Sequence, residues 1–166
     1  MHQTVERVYF DHRQGLYTLA LAITRCPGRA EDAVQEAFAR LWSRGVRPTG
    51  DPVAYVFAAV RNAAIDQVRR QPADRPREPA SIYNGLPPDP AHQAVTREQH
   101  RAVREAVEAL PEAQRESVVM KVYGGLTFQQ MAEALGEPLP TVAARYRRAL
   151  DALGHRIRGT LEPYHA

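Results

Sequence analysis

A length of 166 residues suits one ordinary domain or two small ones, and a composition of 44% hydrophobic and 25% charged residues excludes an intrinsically disordered chain. No apolar run reaches 18 residues and no signal-peptide pattern opens the chain, so we predict a cytoplasmic protein with no membrane insertion. Cys26 is the only cysteine, which excludes an intrachain disulfide and a multi-cysteine zinc site. The formal net charge is +3, and between Pro140 and Thr160 five arginines stand against one aspartate, so the basic surplus lies near one end.

The first predicted helix has apolar residues at helical spacing and ends at Pro27-Gly28. Its stripe comprises Val5, Val8, Tyr9, Leu16, Leu19, Ala20 and Ile23.

The second helix, "EDAVQEAFARLW", buries one face and presents Asp32, Gln35 and Glu36 on the other. We expect Glu31 and Asp32 in its first turn, where the helix dipole favours anions. On spacing alone, this face is interpreted most simply as a solvated acidic surface.

A third helix begins at Asp51, an N-cap, followed by Pro52 at the first helical position. Its predicted inner residues are Val53, Phe57, Val60, Ala64 and Val68. Its outer face carries Arg61, Asn62, Asp66, Arg69 and Arg70, with Tyr55 near the start. Arginines beside an aromatic ring suit single-stranded nucleic acid, because guanidinium neutralises phosphate and the ring stacks on bases. An ordinary polar face is the alternative.

Between Pro72 and Pro90 the sequence "PADRPREPASIYNGLPPDP" holds six of the 13 prolines. Proline removes backbone donors and restricts the residue before it, so we predict an extended linker. This divides the chain into domains at 1–71 and 92–160, a linker at 72–91 and a tail at 161–166.

The second half shows helix boundaries in quick succession. Pro111 begins a helix that ends at Gly124-Gly125, and Thr127 with Gln130 makes a capping box for the next, which Gly136 closes. Thr141 is then the expected cap of a last helix.

Residues 126–150 therefore predict a helix, a tight turn and a second, basic helix, the arrangement of a helix-turn-helix. The expected inner residues of the last helix are Val142, Tyr146, Leu150 and Leu153. The expected outer residues are Ala144, Arg147, Arg148 and Asp151. The arginines favour entry of this helix into a DNA groove, although helical hairpins that only pack are common.

Nothing in the sequence indicates an enzyme. The six histidines show no metal-ligand spacing, and neither a nucleophile elbow nor a glycine-rich phosphate loop occurs. We therefore predict no catalytic residue, no metal and no cofactor.

Four blocks follow one another along the chain: the acidic-faced "EDAVQEAFARLW", the helix "AYVFAAVRNAAIDQVRR", the proline-rich linker and "LPEAQRESVVMKVYGGLTFQQMAEALGEPLPTVAARYRRALDAL". In this order they resemble the small sigma factors of bacterial RNA polymerase, the extracytoplasmic-function (ECF) group. The likeness covers nearly the whole chain. It implies an all-α fold of two small helical domains, the second with a helix-turn-helix. It also implies binding to core RNA polymerase and promoter DNA, and an anti-sigma protein as a candidate partner, since the family often works that way.

The resemblance also implies residue roles. The D-x-x-Q-E-x-F pattern, here Asp32, Gln35, Glu36 and Phe38, docks on the polymerase beta-prime clamp, which replaces the solvated-face interpretation. The third helix, with Tyr55, Arg61, Asn62, Asp66, Arg69 and Arg70, engages the melted minus-ten element. The residues that would contact the minus-thirty-five element are Thr141, Ala144, Arg145, Arg147 and Arg148. In this stretch the sequence reads "TVAAR", where the frequent family pattern is T-V-K-S-R. The loop Arg44 to Asp51 is where the family captures a flipped base.

One alternative stays open: a helix-turn-helix regulator that binds DNA but not core polymerase. It would need a ligand pocket or a phosphorylation domain upstream, and the first half shows no βα alternation or receiver-like acidic cluster.

Overall fold

The computed structural model describes residues 2–44, 50–70 and 95–161. Over these ranges the chain forms seven α-helices and one π-helical turn, and none of these residues lies in a strand, which confirms the all-α prediction. The helices are α1 His2–Thr24, α2 Pro27–Arg44, α3 Pro52–Arg70, α4 Val95–Glu108, α5 Glu112–Val118, α6 Phe128–Leu135 and α7 Leu139–Leu161; the π-helical turn is Val119–Tyr123. The predicted linker and nearly all of the tail lie outside the described residues.

The first three helices pack on one another around fully buried residues such as Leu16, Leu19 and Phe57. Asp51 caps α3 as predicted, because its Oδ1 accepts hydrogen bonds from the amides of Val53 (2.8 Å) and Ala54 (3.0 Å). These caps fix the point at which α3 begins.

The start of α2 differs from the prediction. Pro27 is the first residue of α2, so Pro27-Gly28 not only ends α1 but also opens the next helix. Glu31 and Asp32 consequently lie beyond the first turn, which contains no acidic residue. The helix dipole is weak at that distance from the terminus, so the prediction that it stabilises Glu31 and Asp32 is wrong.

The caps around α6 are confirmed. Thr127 Oγ1 accepts from the Gln130 amide (3.1 Å), and Gln130 Oε1 accepts from the Thr127 amide (2.9 Å). Gly136 ends the helix at φ 65°, a left-handed conformation that costs glycine little.

The last helix begins earlier than predicted. The amides of Thr141 and Val142 both donate to the carbonyl of Pro138, so α7 starts at Leu139 and Thr141 lies inside its first turn rather than at the cap. The prediction that Leu150 faces inward is also wrong, because Leu150 is 44% exposed and Ala149 is fully buried in its place. The inward face continues from Val142 in steps of four, three and four residues, and position 150 falls outside it.

The helices form two groups, a first group of α1–α3 and a second group of α4–α7, and the two groups are in contact. Helix α1 touches α5 and the π-helical turn, and α3 touches α6. The first helix of the helix-turn-helix therefore rests on α3, the helix that carries the predicted minus-ten residues.

Candidate nucleic-acid interface

A polar network joins the exposed faces of α2 and α3, and Glu36 is at its centre. Its carboxylate accepts hydrogen bonds from Arg70 (3.0 Å), Gln67 (3.3 Å) and Arg40. Arg40 also lies 3.7 Å from Asp66. The hydrogen bond from Arg70 holds the pKa of Glu36 below its usual range, in spite of a smaller opposing effect of burial.

The four residues expected to dock on polymerase are placed differently from one another. Asp32 and Gln35 are exposed on α2, whereas the side chain of Glu36 is 23% exposed within the network. Phe38 is buried and its ring lies edge-on to Tyr9, with centroids 4.9 Å apart. Phe38 therefore packs the core of this surface instead of presenting its ring to a partner.

A shallow pocket of about 230 Å³ lies between α2 and α3. Its lining includes the aromatic residue Tyr55 and the polar residues Asn62 and Arg40. The remaining lining is apolar and comprises Ala37, Leu41, Ala58 and Ala59. A ring for stacking, an amide for a base edge and a cation for phosphate are the groups by which proteins hold unstacked nucleotides.

The other predicted minus-ten residues are distributed along α3. Arg69 and Arg70 are exposed in the last turn, and Asp66 is partly buried beside Arg40. Arg61 points to the second helical group, where its Nε donates to Glu116 at 2.7 Å. The structure thus brings Tyr55 and Asn62 together and separates Arg61 from them.

On α7, Thr141, Arg147 and Arg148 are exposed and Ala144 is half-buried. Arg145 is the exception, since its side chain is only 18% exposed and both terminal nitrogens bond to Glu137 in the preceding turn. We therefore assign Arg145 to bracing the turn between α6 and α7. Phe128 and Tyr146, whose rings lie edge-on with centroids 5.6 Å apart, join the two helices.

Within residues 2–44, 50–70 and 95–161, no three His, Cys, Asp or Glu side chains are grouped so that they could hold a metal ion. None of the helices described there has the length and apolar character needed to cross a membrane.

Sequence reasoning missed several residues of these surfaces. Arg40 could have been found, because it follows Glu36 by four residues on one helix face. Gln67 and Glu116 join elements that are far apart in sequence, and no local pattern marks them.

The fold and these surfaces define an all-helical protein whose C-terminal helices include a helix-turn-helix and whose N-terminal helices, α1–α3, present a polar surface. Residues 8–73 match the family model of Sigma-70 region 2, and residues 100–153 match that of Sigma-70, region 4. The ECF RNA polymerase sigma factor SigK of Mycobacterium bovis (BCG Pasteur) is 29% identical over 154 residues, which cover 87% of this chain and 81% of that protein. SigK of Mycolicibacterium vanbaalenii is 29% identical over 153 residues, covering 87% and 77%.

Among solved structures, the fold is similar to that of the sigma factor RpoE in a complex with the anti-sigma factor NepR from Bartonella quintana. The TM-score is 0.68 at 19% identity, over 95% of this chain and 96% of that chain. The chain belongs to the ECF group of the sigma-70 family, which confirms the family resemblance found in the sequence.

Proposed function

We propose that this chain is an alternative sigma factor that binds core RNA polymerase and directs promoter recognition, DNA melting and transcription initiation. The observation that carries the proposal is the presence of regions 2 and 4, in that order, on one chain. A regulator that binds DNA without polymerase would explain only the helix-turn-helix.

For core polymerase, we assign docking to the exposed face of α2. Asp32 and Gln35 are accessible there, and Glu36 offers a partly exposed carboxylate edge. Phe38 supports that face from the core through its contact with Tyr9. The partner surface is the beta-prime clamp.

For the minus-ten element, we assign the pocket between α2 and α3 to the melted strand. Tyr55 supplies the stacking ring and Asn62 the hydrogen-bonding amide, while Arg69 and Arg70 face the phosphates. The expected base-capturing loop falls largely on residues 45–49, outside the described residues.

For the minus-thirty-five duplex, we assign the outer face of α7. Arg147 and Arg148 are the exposed cations, and Thr141 stands exposed in the first turn. Ala144 has no hydrogen-bonding group, so it offers close approach or contact with a thymine methyl.

As part of this proposal, the two domains span residues 1–71 and 92–160, and residues 72–91 link them. About 20 extended residues at ~3.3 Å each reach near 65 Å, or roughly two turns of duplex at ~34 Å per turn. One chain can then contact two separated promoter elements.

A sigma factor positions polymerase and stabilises open DNA, so this chain performs no catalysis of its own and acts in the cytoplasm. An anti-sigma protein is a proposed partner, because the RpoE structure that shares this fold is a complex with one.

Two measurements test the proposal. Purified core polymerase should retain the chain, and Asp32→Arg should weaken that binding without unfolding the protein. On a promoter fragment, permanganate should modify thymines of the minus-ten element only when chain and core are both present. If the chain binds duplex DNA but core polymerase neither retains it nor melts DNA with it, the protein is a regulator of the other class.

A further inference from the structure

The connection between the π-helical turn and α6 is tightly folded. The amide of Gly124 donates to the carbonyl of Val119 at 3.0 Å, and two residues later the amide of Leu126 donates a hydrogen bond of 3.2 Å to Met120. A Cβ on Gly124 would lie 2.6 Å from the Met120 carbonyl oxygen and 2.8 Å from the Leu126 side chain. Only glycine fits there, and close contacts therefore fix the path of the chain into α6.

Lys121 adds a side-chain hydrogen bond to this connection. Its Nζ donates to the carbonyl oxygen of Leu126 at 2.9 Å. Leu126 is fully buried, and the hydrogen-bond ladder of α6 begins one residue later, where the Met131 amide donates to Thr127. The Leu126 carbonyl therefore lies outside that ladder and away from water, where a carbonyl without a donor is costly. Lys121 supplies the donor immediately before the N-cap of α6.

The same ammonium group reaches the first residue of α6. Lys121 Nζ lies 5.1 Å from the ring centroid of Phe128, within the range at which an aromatic ring attracts a cation. The ring of Phe128 is edge-on to that of Tyr146 on α7, with centroids 5.6 Å apart. Tyr146 stands between Arg145 and Arg147 in the sequence. Contacts thus run without a break from Lys121 through Phe128 to α7.

Helix α6 is too short to set its own direction. It has eight residues, Phe128–Leu135, and helices shorter than about 12 residues are marginal in isolation. Its C-terminal end is held by the pair of Arg145 and Glu137 in the turn to α7. The capping box lies within the segment that begins at Thr127 and does not attach that segment to α5. At this end, Lys121 contacts the residues on both sides of the cap.

We infer that Lys121 is a positioning residue for minus-thirty-five recognition, because through Leu126 and Phe128 it holds α6 in the orientation that presents α7 to the bases. Lys121 acts through these two residues and needs no contact with DNA. The inference rests on the proposed function for the assignment of α7 to the minus-thirty-five duplex.

Loss of the ammonium group should affect specific binding more than non-specific binding. Without its donor, the buried Leu126 carbonyl disfavours the braced arrangement relative to one in which the start of α6 is exposed. Base contacts need the braced arrangement, whereas the exposed Arg147 and Arg148 attract phosphate in either one. A variant in which about one-tenth of the molecules stay braced would bind its preferred sequence ~10-fold more weakly.

Lys121→Met tests the inference in the full chain, because methionine keeps an unbranched apolar stem but has neither charge nor donor. Lys121→Arg keeps both and should restore recognition. Phe128→Leu breaks the path at the ring and keeps the hydrogen bond to Leu126, so it tests the same path if Lys121→Met does not fold. Ser117→Ala is the matched control, since it removes a buried hydrogen bond of 2.9 Å to the Ala113 carbonyl within α5.

Sequence preference is measured by selection from a pool of short duplexes with randomised centres, using the chain alone and the chain with purified core polymerase. The Kd values for the most enriched duplex and for a scrambled duplex are then compared. Both are measured at a temperature at which circular dichroism shows each variant to be fully folded. Nuclear Overhauser effects between the rings of Phe128 and Tyr146 report the contact of α6 with α7.

We expect the preference for the enriched over the scrambled duplex to fall ~10-fold in Lys121→Met, to fall in Phe128→Leu, and to stay within ~2-fold of the parent in Lys121→Arg and Ser117→Ala. The ring-to-ring signals should weaken in Lys121→Met and persist in Ser117→Ala. A Lys121→Met variant that melts at a lower temperature but keeps the parental preference would make Lys121 a stabilising residue only and overturn the inference. An equal loss of preference in Ser117→Ala would also overturn it. If the parent enriches no duplex in either setting, the minus-thirty-five assignment fails, and the ring-to-ring signals still decide whether Lys121 holds α6 against α7.

Discussion

The role of Glu36 can be separated from that of its exposed neighbour Asp32 by removing one charge at a time. Glu36 accepts hydrogen bonds from Arg40 and Arg70, whose side chains are 44% and 52% exposed. Exposed ion pairs contribute ~0.2–1 kcal/mol each, so we expect Glu36→Gln to lower the free energy of unfolding by about 1 kcal/mol. For a chain of this size, that corresponds to about 2–4 °C in Tm.

The effect should depend on pH in a defined direction. The pKa of Glu36 is lowered in the folded state, chiefly by the hydrogen bond from Arg70, so the folded protein binds this proton less readily than the unfolded chain. The contribution is therefore present above the ordinary carboxyl pKa of about 4.3 and is lost as the pH falls through the lowered value. The difference in Tm between parent and Glu36→Gln should shrink in acid.

Thermal melting and polymerase binding, measured together, distinguish a stabilising role of Glu36 from a role in polymerase docking alone. Asp32→Asn should weaken binding to core polymerase and leave Tm unchanged within about 1 °C, because Asp32 is exposed. Glu36→Gln should change both. If Glu36→Gln melts like the parent at neutral pH, the network on α2 and α3 does not stabilise the protein and our account of Glu36 is wrong.

Three further outcomes are expected. Ala149→Leu should destabilise the protein by ~1–3 kcal/mol through overpacking, whereas Leu150→Ala at the exposed neighbouring position should change the free energy of unfolding by less than ~0.5 kcal/mol; equal denaturation midpoints would place the inward face of α7 elsewhere. Arg147→Ala and Arg148→Ala should be titrated with a panel of minus-thirty-five duplexes. An arginine that contacts a base should relax the preference at one base pair at a cost of ~1–3 kcal/mol, whereas one that contacts phosphate should weaken binding to all sequences and lower the salt slope by about one. If neither variant changes binding, α7 is not the helix that reads DNA. Deleting about half of residues 72–91 should abolish promoter use while helix content is kept, and transcription that survives would refute the two-site geometry.

Features with local causes could be predicted from the sequence. The cap at Asp51, the capping box of Thr127 and Gln130, and the left-handed Gly136 each depend on residues within a few positions, and all are confirmed. The errors on α7 arose where two choices fit one pattern: a stripe continuing from Val142 can pass through either position 149 or position 150, and packing selects Ala149.

Features with distant causes could not be predicted in the same way. The contacts between the N-terminal helices α1–α3 and the C-terminal helices α4–α7 join residues more than fifty positions apart, such as Arg61 with Glu116 and Asp51 with Glu133. One of these contacts has a local signal: Gly15 interrupts an otherwise good helical pattern, and an isolated glycine there indicates close approach of another backbone. Recognising its partner, Gly124, required the three-dimensional structure.

Run-off transcription with purified core RNA polymerase tests the central claim most directly. We predict transcripts of defined length from a subset of genomic promoter fragments when the chain is added to core, and none from core alone or from the chain alone. Asp32→Arg should reduce all of these transcripts together, because it acts on polymerase binding rather than on sequence recognition. A chain that binds the same fragments but yields no transcript with core, or that only represses a transcript made by another sigma factor, would contradict the assignment.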